Sequence, residues 1–337
     1  MEFTRCFGCM EPVKAYPCPI CGFAPGSAGQ PENALRPGTI LKGRYIAGTP
    51  RAHSRKAFIY TAWDLKEERK AAIAEYFPDD SVFRQGGLQC SFSRTTQADT
   101  DREKQAFLQQ TGKLRSLSRI PQVPVCTDTF EENGTAYIVT DLTAGEILSQ
   151  RLRKAGSVSW KEAKNRFFPV IQAMEKIHGA GVLHRGLCPD SLLMKPDGSP
   201  MILDFTFSSD LTGNGGITPP PGPFSPPELY VPGGKIGTWS DVYALAAVLY
   251  LALTGKPPVP ALDRLNQDSI DWLPLQRSGI PNHVSAALQK ALIMTQSART
   301  QTMTAFLKDL RSGAETVKKP AAFFPGCPMK EGCEDGI

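Results

Sequence analysis

The first half of the chain carries several stretches whose β-branched, aromatic and alternating apolar residues read as strands: "TILKGRYIAG", "AFIYTAWDL", "KAAIAEYF" and "TDTFEENGTAYIVTDL". In the last of these, Asn133-Gly134 reads as a tight turn between two strands. One helix is predicted among them over 101–117, with Phe107, Leu114 and Leu117 on one face. The second half is helical. A helix over 160–178 has Phe167, Ile171, Met174 and Ile177 as its apolar stripe, and Pro169 is expected to kink it or remove one backbone bond. Further helices are predicted over 242–253, 284–295 and 303–310. The pattern predicts an α+β chain, with a small β-rich lobe over about 37–142 and a larger helical lobe over about 143–312.

Residues 1–24 hold a cysteine cluster, 25–36 form a Pro/Gly/Ser-rich linker, and the tail 313–337 reads as flexible. The apolar run at 242–253 is too short to span a bilayer and reads as a buried helix, so no membrane association is expected. The opening "MEFTRCFGCM" has cysteines where a secretory signal would be apolar. Nine cysteines, an odd number with four in one cluster, fit a reducing cytoplasm better than a disulfide framework.

The cluster "CFGCMEPVKAYPCPICGF" pairs Cys6 with Cys9 and Cys18 with Cys21, each at a C-x2-C spacing. Two such turns converge four thiolates on a closed tetrahedral zinc site of structural type, and Gly8 and Gly22 suit the turns. About twenty residues build no core of their own, so the metal supplies most of the folding energy of such a segment. Nucleic acid is not the expected partner: net charge is only +5, and Lys14 is the single basic residue between the outer cysteines. Cys327 and Cys333 in the tail are spaced too irregularly for a metal site.

The stretches "GTILKGRY", "EYFP", "ENGTAYIV", "VLHRGLCPDSLL", "ILDF", "SPPELY" and "GTWSDVYALAAVLYLALTGKPP" occur in that order. In them residues 37–312 resemble bacterial serine/threonine protein kinases, including those with an N-terminal zinc ribbon. The resemblance implies a two-lobed kinase-like fold and assigns each position a part in phosphoryl transfer. Ala52, Ser54 and Ala57 stand at the three glycines of the phosphate-covering loop, and Ala74 at the phosphate-binding lysine. Gln110 falls at the glutamate that pairs with that lysine. Gly186 replaces the catalytic aspartate, Cys188 the lysine near the γ-phosphate and Ser191 the metal-binding asparagine. Asp204 keeps the D-F-G aspartate position, with Thr206 in place of the glycine, and is the one residual contact for metal or nucleotide.

The architectural positions are retained. His184 and Phe205 match the internal stack, and Leu192 and Leu193 lead from the catalytic loop into the core. Asp241 matches the aspartate that orders the catalytic loop; Glu228 and Arg299 match the ion pair of the helical lobe. The resemblance therefore implies a pseudokinase: a regulator or scaffold that binds a protein, such as an active kinase or its substrate, with ATP and Mg²⁺ bound weakly or not at all. The alternative is an atypical kinase or ATP sensor, with Lys56 or Arg55 reaching the phosphates. A nucleophilic Cys188 finds no neighbouring base in the motif, and reads as a half-buried thiol. Arg185 either docks an anion or a phosphorylated Ser208, Ser209, Thr212 or Thr218, or is an ordinary surface arginine.

Overall fold

The computed structural model describes residues 4–26, 31–53, 57–78, 82–84, 87–92, 97–205, 208–210, 222–265 and 267–312. Ser54, Arg55, Lys56, Thr206, Thr212, Thr218, Cys327, Cys333 and the tail lie outside them, as does the side chain of Gln110.

The small lobe is a six-stranded antiparallel sheet. In chain order its strands are β1 (Ile40–Leu41), β2 (Tyr45–His53), β3 (Ala57–Asp64), β4 (Arg69–Tyr76), β7 (Cys126–Glu132) and β8 (Thr135–Asp141); in space they run β1-β2-β3-β4-β8-β7. The Asn133-Gly134 turn joins β7 to β8 with both residues left-handed, at φ 53° and 76°, as a two-residue hairpin requires. The stretch "TILKGRYIAG" is not one strand. Lys42 and Gly43 turn left-handed at φ 52° and 58° and split it into β1 and β2. Lys42 is held in that conformation from the far edge of the sheet, its N–H donating to Glu132 (2.8 Å) and its ammonium pairing with Asp128 (2.9 Å).

One face of the sheet buries Tyr45, Phe58, Tyr60, Ile73, Tyr137 and Val139. It is closed by a hairpin of β5 (Val82–Arg84) and β6 (Cys90–Phe92), which the sequence pattern does not show, and by Leu35. The stretch 25–36, predicted as a linker, thus packs into the lobe through its second half. Glu75 lies in the middle of this core with no exposed surface. Its carboxylate accepts from Tyr60 Oη (2.9 Å) and Tyr137 Oη (2.7 Å) and pairs with Arg84, which in turn donates to the Asn33 carbonyl (2.7 Å). Burial alone disfavours the Arg84 charge; Glu75 outweighs that and raises its pKa.

Helix α1 (Gln97–Ser116) starts four residues earlier than its apolar stripe predicts and packs Phe107 and Leu114 into the main core. The ribbon does not hang free on its tether. Met10 is buried with Ile46 and Trp63, the Arg5 guanidinium stacks 3.4 Å over the Trp63 ring, and Glu11 pairs with Lys70.

The large lobe is built on α3 (Trp160–Gly179), α4 (Thr238–Thr254), α6 (Asn282–Ala291) and α7 (Met303–Arg311), with shorter α2 (Leu148–Ala155) and α5 (Leu273–Arg277) beside them. Ser159 and Thr302 cap α3 and α7 by accepting the N–H of Glu162 (3.3 Å) and Ala305 (3.1 Å). Pro169 stands inside α3 without ending it. Helix α4 is buried on nearly every side, which is why its apolar residues run on without a polar face. Helix α6 closes at Ala291, four residues short of the predicted end. No helix among the described residues is long and apolar enough to cross a membrane.

Candidate functional site

Between the lobes, the segment 182–194 is fixed from below by one buried carboxylate. Asp241, in the first turn of α4, accepts the backbone N–H of His184 (2.8 Å) and of Arg185 (2.7 Å) and bonds His178 Nε2 (2.8 Å). Burial opposes its ionisation, but His178 and the backbone donors outweigh burial and hold it below the ordinary carboxylate range. Those bonds let Arg185 take a left-handed φ of 63°, rare for a side-chain-bearing residue. Arg185 is 5% exposed, so it is not an ordinary surface arginine.

His184 is fully enclosed, and burial lowers its pKa, leaving the ring neutral. Its Nε2 lies 2.9 Å from the Leu203 carbonyl and therefore carries the proton; Nδ1 accepts from the Gly186 N–H (3.3 Å). With Nε2 committed to Leu203, His184 is not placed as a base for Cys188. Its ring packs on Phe205, with centroids 4.7 Å apart. Asp204, beside Phe205, is half-buried and left-handed at φ 57°.

Gly186 has no side chain. The Cys188 thiol is pushed up to about 11, first by burial and then by the Asp204 charge, so it stays protonated near neutrality. Ser191 is buried and turned onto its own backbone: its Oγ accepts the Cys188 N–H (3.0 Å) and donates to the Cys188 carbonyl (2.9 Å). On the roof, Ala74 is half-buried between its strand partners Ile59 and Ile138, and the Ala57 side chain is packed into the main core.

Sequence reasoning missed Lys113 of α1, whose ammonium donates to the Ser208 carbonyl (3.0 Å). That bond ties α1 to the segment after Phe205, three residues along the helix from Gln110. A lysine on an otherwise polar helix reads as a solvated residue, and no local pattern signals its partner. Ser209 lies in a two-residue strand, Ser209–Asp210, that pairs with Val182–Leu183.

Glu228 and Arg299 meet in the core of the large lobe. Arg299 Nη1 and Nη2 reach the two Glu228 oxygens at 2.7 and 3.1 Å, and Ser240 Oγ donates to the same carboxylate (2.7 Å). The remaining guanidinium donors reach the carbonyls of Ile293 (2.8 Å), Met294 (3.0 Å) and Trp239 (3.3 Å).

The four ribbon sulfurs form a second candidate centre. All lie within 4.8 Å of one another, with Cys6–Cys21 at 3.6 Å and Cys9–Cys18 at 3.9 Å. A tetrahedron with metal–sulfur bonds of about 2.3 Å has edges of about 3.8 Å, whereas a disulfide needs about 2.05 Å. The donor set therefore fits a tetrahedral thiolate-bound metal. The Gly8 N–H points at Cys6 Sγ (3.3 Å), as in a knuckle that stabilises thiolate. Gly22 turns at φ 75°, while Gly8 is needed for space: a β-carbon there would lie 2.9 Å from Cys21 Sγ.

Residues 92–312 match the protein kinase domain family. This chain belongs to that family. It is 30% identical over 188 residues to sperm motility kinase 3A of Mus musculus, covering 55% of this chain and 37% of that protein. It is 28% identical over 229 residues to the serine/threonine-protein kinase PknK of Mycobacterium tuberculosis, covering 63% of this chain and 20% of that protein. The solved structure of the PpkA-294 apo form is similar across 83% of this chain and 100% of its own, with a TM-score of 0.70 and 26% identity. The family match begins at β6, so the roof strands with Ala52, Ala57 and Ala74 lie before it.

Proposed function

We propose that the chain is a catalytically inactive kinase-like regulator, a pseudokinase that acts by binding a protein partner such as an active kinase or its substrate. One observation carries the reading. Asp241 anchors the loop that would do the chemistry, while Gly186, Cys188 and Ser191 within that loop supply no ionised base and no free metal ligand. General-base help is worth about 10²–10⁴ in rate, and the phosphate-binding lysine position is an alanine as well.

The roles of Ala74, Gln110, Gly186, Cys188 and Ser191 as degenerate positions, and of His184, Arg185, Phe205, Glu228, Asp241 and Arg299 as structural ones, belong to this reading. So does a structural zinc at Cys6, Cys9, Cys18 and Cys21, where the metal would crosslink two turns and leave no open position for chemistry. A reducing, cytoplasmic setting suits four free thiols at that spacing.

A second reading, a nucleotide sensor without turnover, draws on the Asp204 carboxylate retained in the cleft. Calorimetry with ATP, with and without Mg²⁺ or Mn²⁺, separates the two. The scaffold reading expects no binding at micromolar nucleotide; binding abolished by Asp204→Ala would favour the sensor. Phosphate incorporation into a protein substrate above a no-protein blank would refute inactivity.

A further inference from the structure

Residues directly paired across an antiparallel sheet share a face, and so do residues two apart along a strand. Ile46 pairs with Trp63 and Trp63 with Lys70; Thr61 pairs with Ala72, Ile59 with Ala74, and Ala57 with Tyr76. All of these side chains therefore leave the sheet on one side. At one end of that side Tyr76 meets Phe107 of α1, with ring centroids 5.4 Å apart. The other end, at Ile46, Trp63 and Lys70, is taken by the cysteine ribbon through Met10, Arg5 and Glu11. The half-buried strip of Ile59, Ala72 and Ala74 lies between them, with Ala74 against the main core, and in the proposed reading it roofs the interlobe cleft; helix and ribbon bound the same strip.

The ribbon also bonds into the strands. The Phe7 carbonyl, in the turn between Cys6 and Cys9, accepts the Thr49 N–H (2.8 Å) and lies 3.3 Å from Thr61 Oγ1. It comes this close because residue 48 is glycine: a β-carbon there would sit 2.2 Å from that carbonyl and 2.5 Å from Met10 Cε. Strand β2 shifts register on both sides of Pro50, so the ribbon bonds it next to where its own pairing is irregular.

We propose that the ribbon is a metal-dependent clamp on the outer end of the cleft roof. The metal fixes Cys6 and Cys9 at the two ends of the turn that presents Phe7; that turn holds Thr49 and covers the Trp63–Thr61 end of the strip. Loss of the metal releases the turn and opens that end, so metal supply becomes a signal delivered to the cleft. The proposal rests on metal occupancy of the four thiolates.

Hydrogen–deuterium exchange on the full chain tests it, with zinc content measured on every sample. Protein as purified should carry one zinc and protect the Thr49 amide. Removing the zinc with a chelator should speed Thr49 exchange at least about tenfold, the scale of a lost hydrogen bond with its buried contacts. The amides of 242–253 should not change. Trp63→Ala should produce the same local rise with zinc still bound. No zinc in the purified protein would overturn the metal dependence at its root. In zinc-loaded protein, the clamp is overturned if Thr49 stays protected after complete metal removal or in Trp63→Ala, or if the rise spreads to 242–253.

Discussion

Arg299 closes a bidentate ion pair on Glu228 in which neither side chain touches solvent. Glu228 Oε1 also accepts from Ser240, and the other guanidinium donors reach the carbonyls of Ile293, Met294 and Trp239. A buried pair of this kind is weak evidence of net stabilisation, but breaking it strands a charge. Arg299→Met is therefore expected to cost about 3–5 kcal/mol. Urea unfolding should show it, and Glu228→Gln on the same background should recover part of the loss.

The pH dependence should carry two steps of the same sign. His184 is neutral in the fold, while an unfolded histidine takes a proton near pH 6.5, so its contribution is present above that pH and declines below it. Asp241 has a depressed pKa; its contribution holds above about pH 4 and drains as pH falls further. The urea midpoint should thus fall from pH 7 to 5, and His184→Phe should flatten that part of the slope whatever it does to stability at pH 7.

Zinc retention should be sensitive to Gly8. In Gly8→Ala the added methyl meets the Phe23 Cβ at 2.7 Å and Cys21 Sγ at 2.9 Å, both close to the backbone. Competition with a chromophoric chelator should show metal released at least about tenfold more easily, the scale of disturbed support around a metal site.

On the pseudokinase reading, introducing two of the expected groups should not produce phosphoryl transfer. Ala74→Lys with Gly186→Asp still lacks the asparagine-type metal ligand, because the Ser191 hydroxyl is spent on its own turn. Radiolabelled phosphate transfer by the double variant is expected to stay at the no-protein blank.

Lys113→Met should loosen the segment after Phe205. The lysine ammonium ties α1 to the Ser208 carbonyl, a charged bond worth about 1–2 kcal/mol. Hydrogen exchange of the amides of 208–210 should rise several-fold in the variant, with the midpoint of global unfolding nearly unchanged.

The sequence was legible where local pattern and local structure coincide. The aromatic and apolar run of β3, the β4 alternation, the Asn133-Gly134 hairpin, the apolar run 242–253 of α4 and the two C-x2-C turns each carry their signal within a few residues. What stayed hidden depends on partners far along the chain. Strands β5 and β6 are three residues each, too short to set a period, and exist because they cover Glu75 and its tyrosines. Lys42 splits a strand-like run only with Asp128 and Glu132 there to receive it. For Arg185 the sequence left anion docking and a surface arginine open; the resemblance matched Asp241 to the loop, but not that its bond to the Arg185 backbone goes with a buried side chain.

Leu35 and Asn33 give the small lobe an edge that homology does not mark. Leu35 is 1% exposed and donates its N–H to Tyr60, and Asn33 holds Arg84, the counterion of Glu75. A cut at residue 37 would uncover Tyr60 and take the Asn33 carbonyl from Arg84, and a cut at residue 92, where the family match starts, would remove Glu75 itself with four of the six strands of the sheet. The unit that folds is wider than the segment the family model matches, and dividing the chain at that boundary would break it by physics.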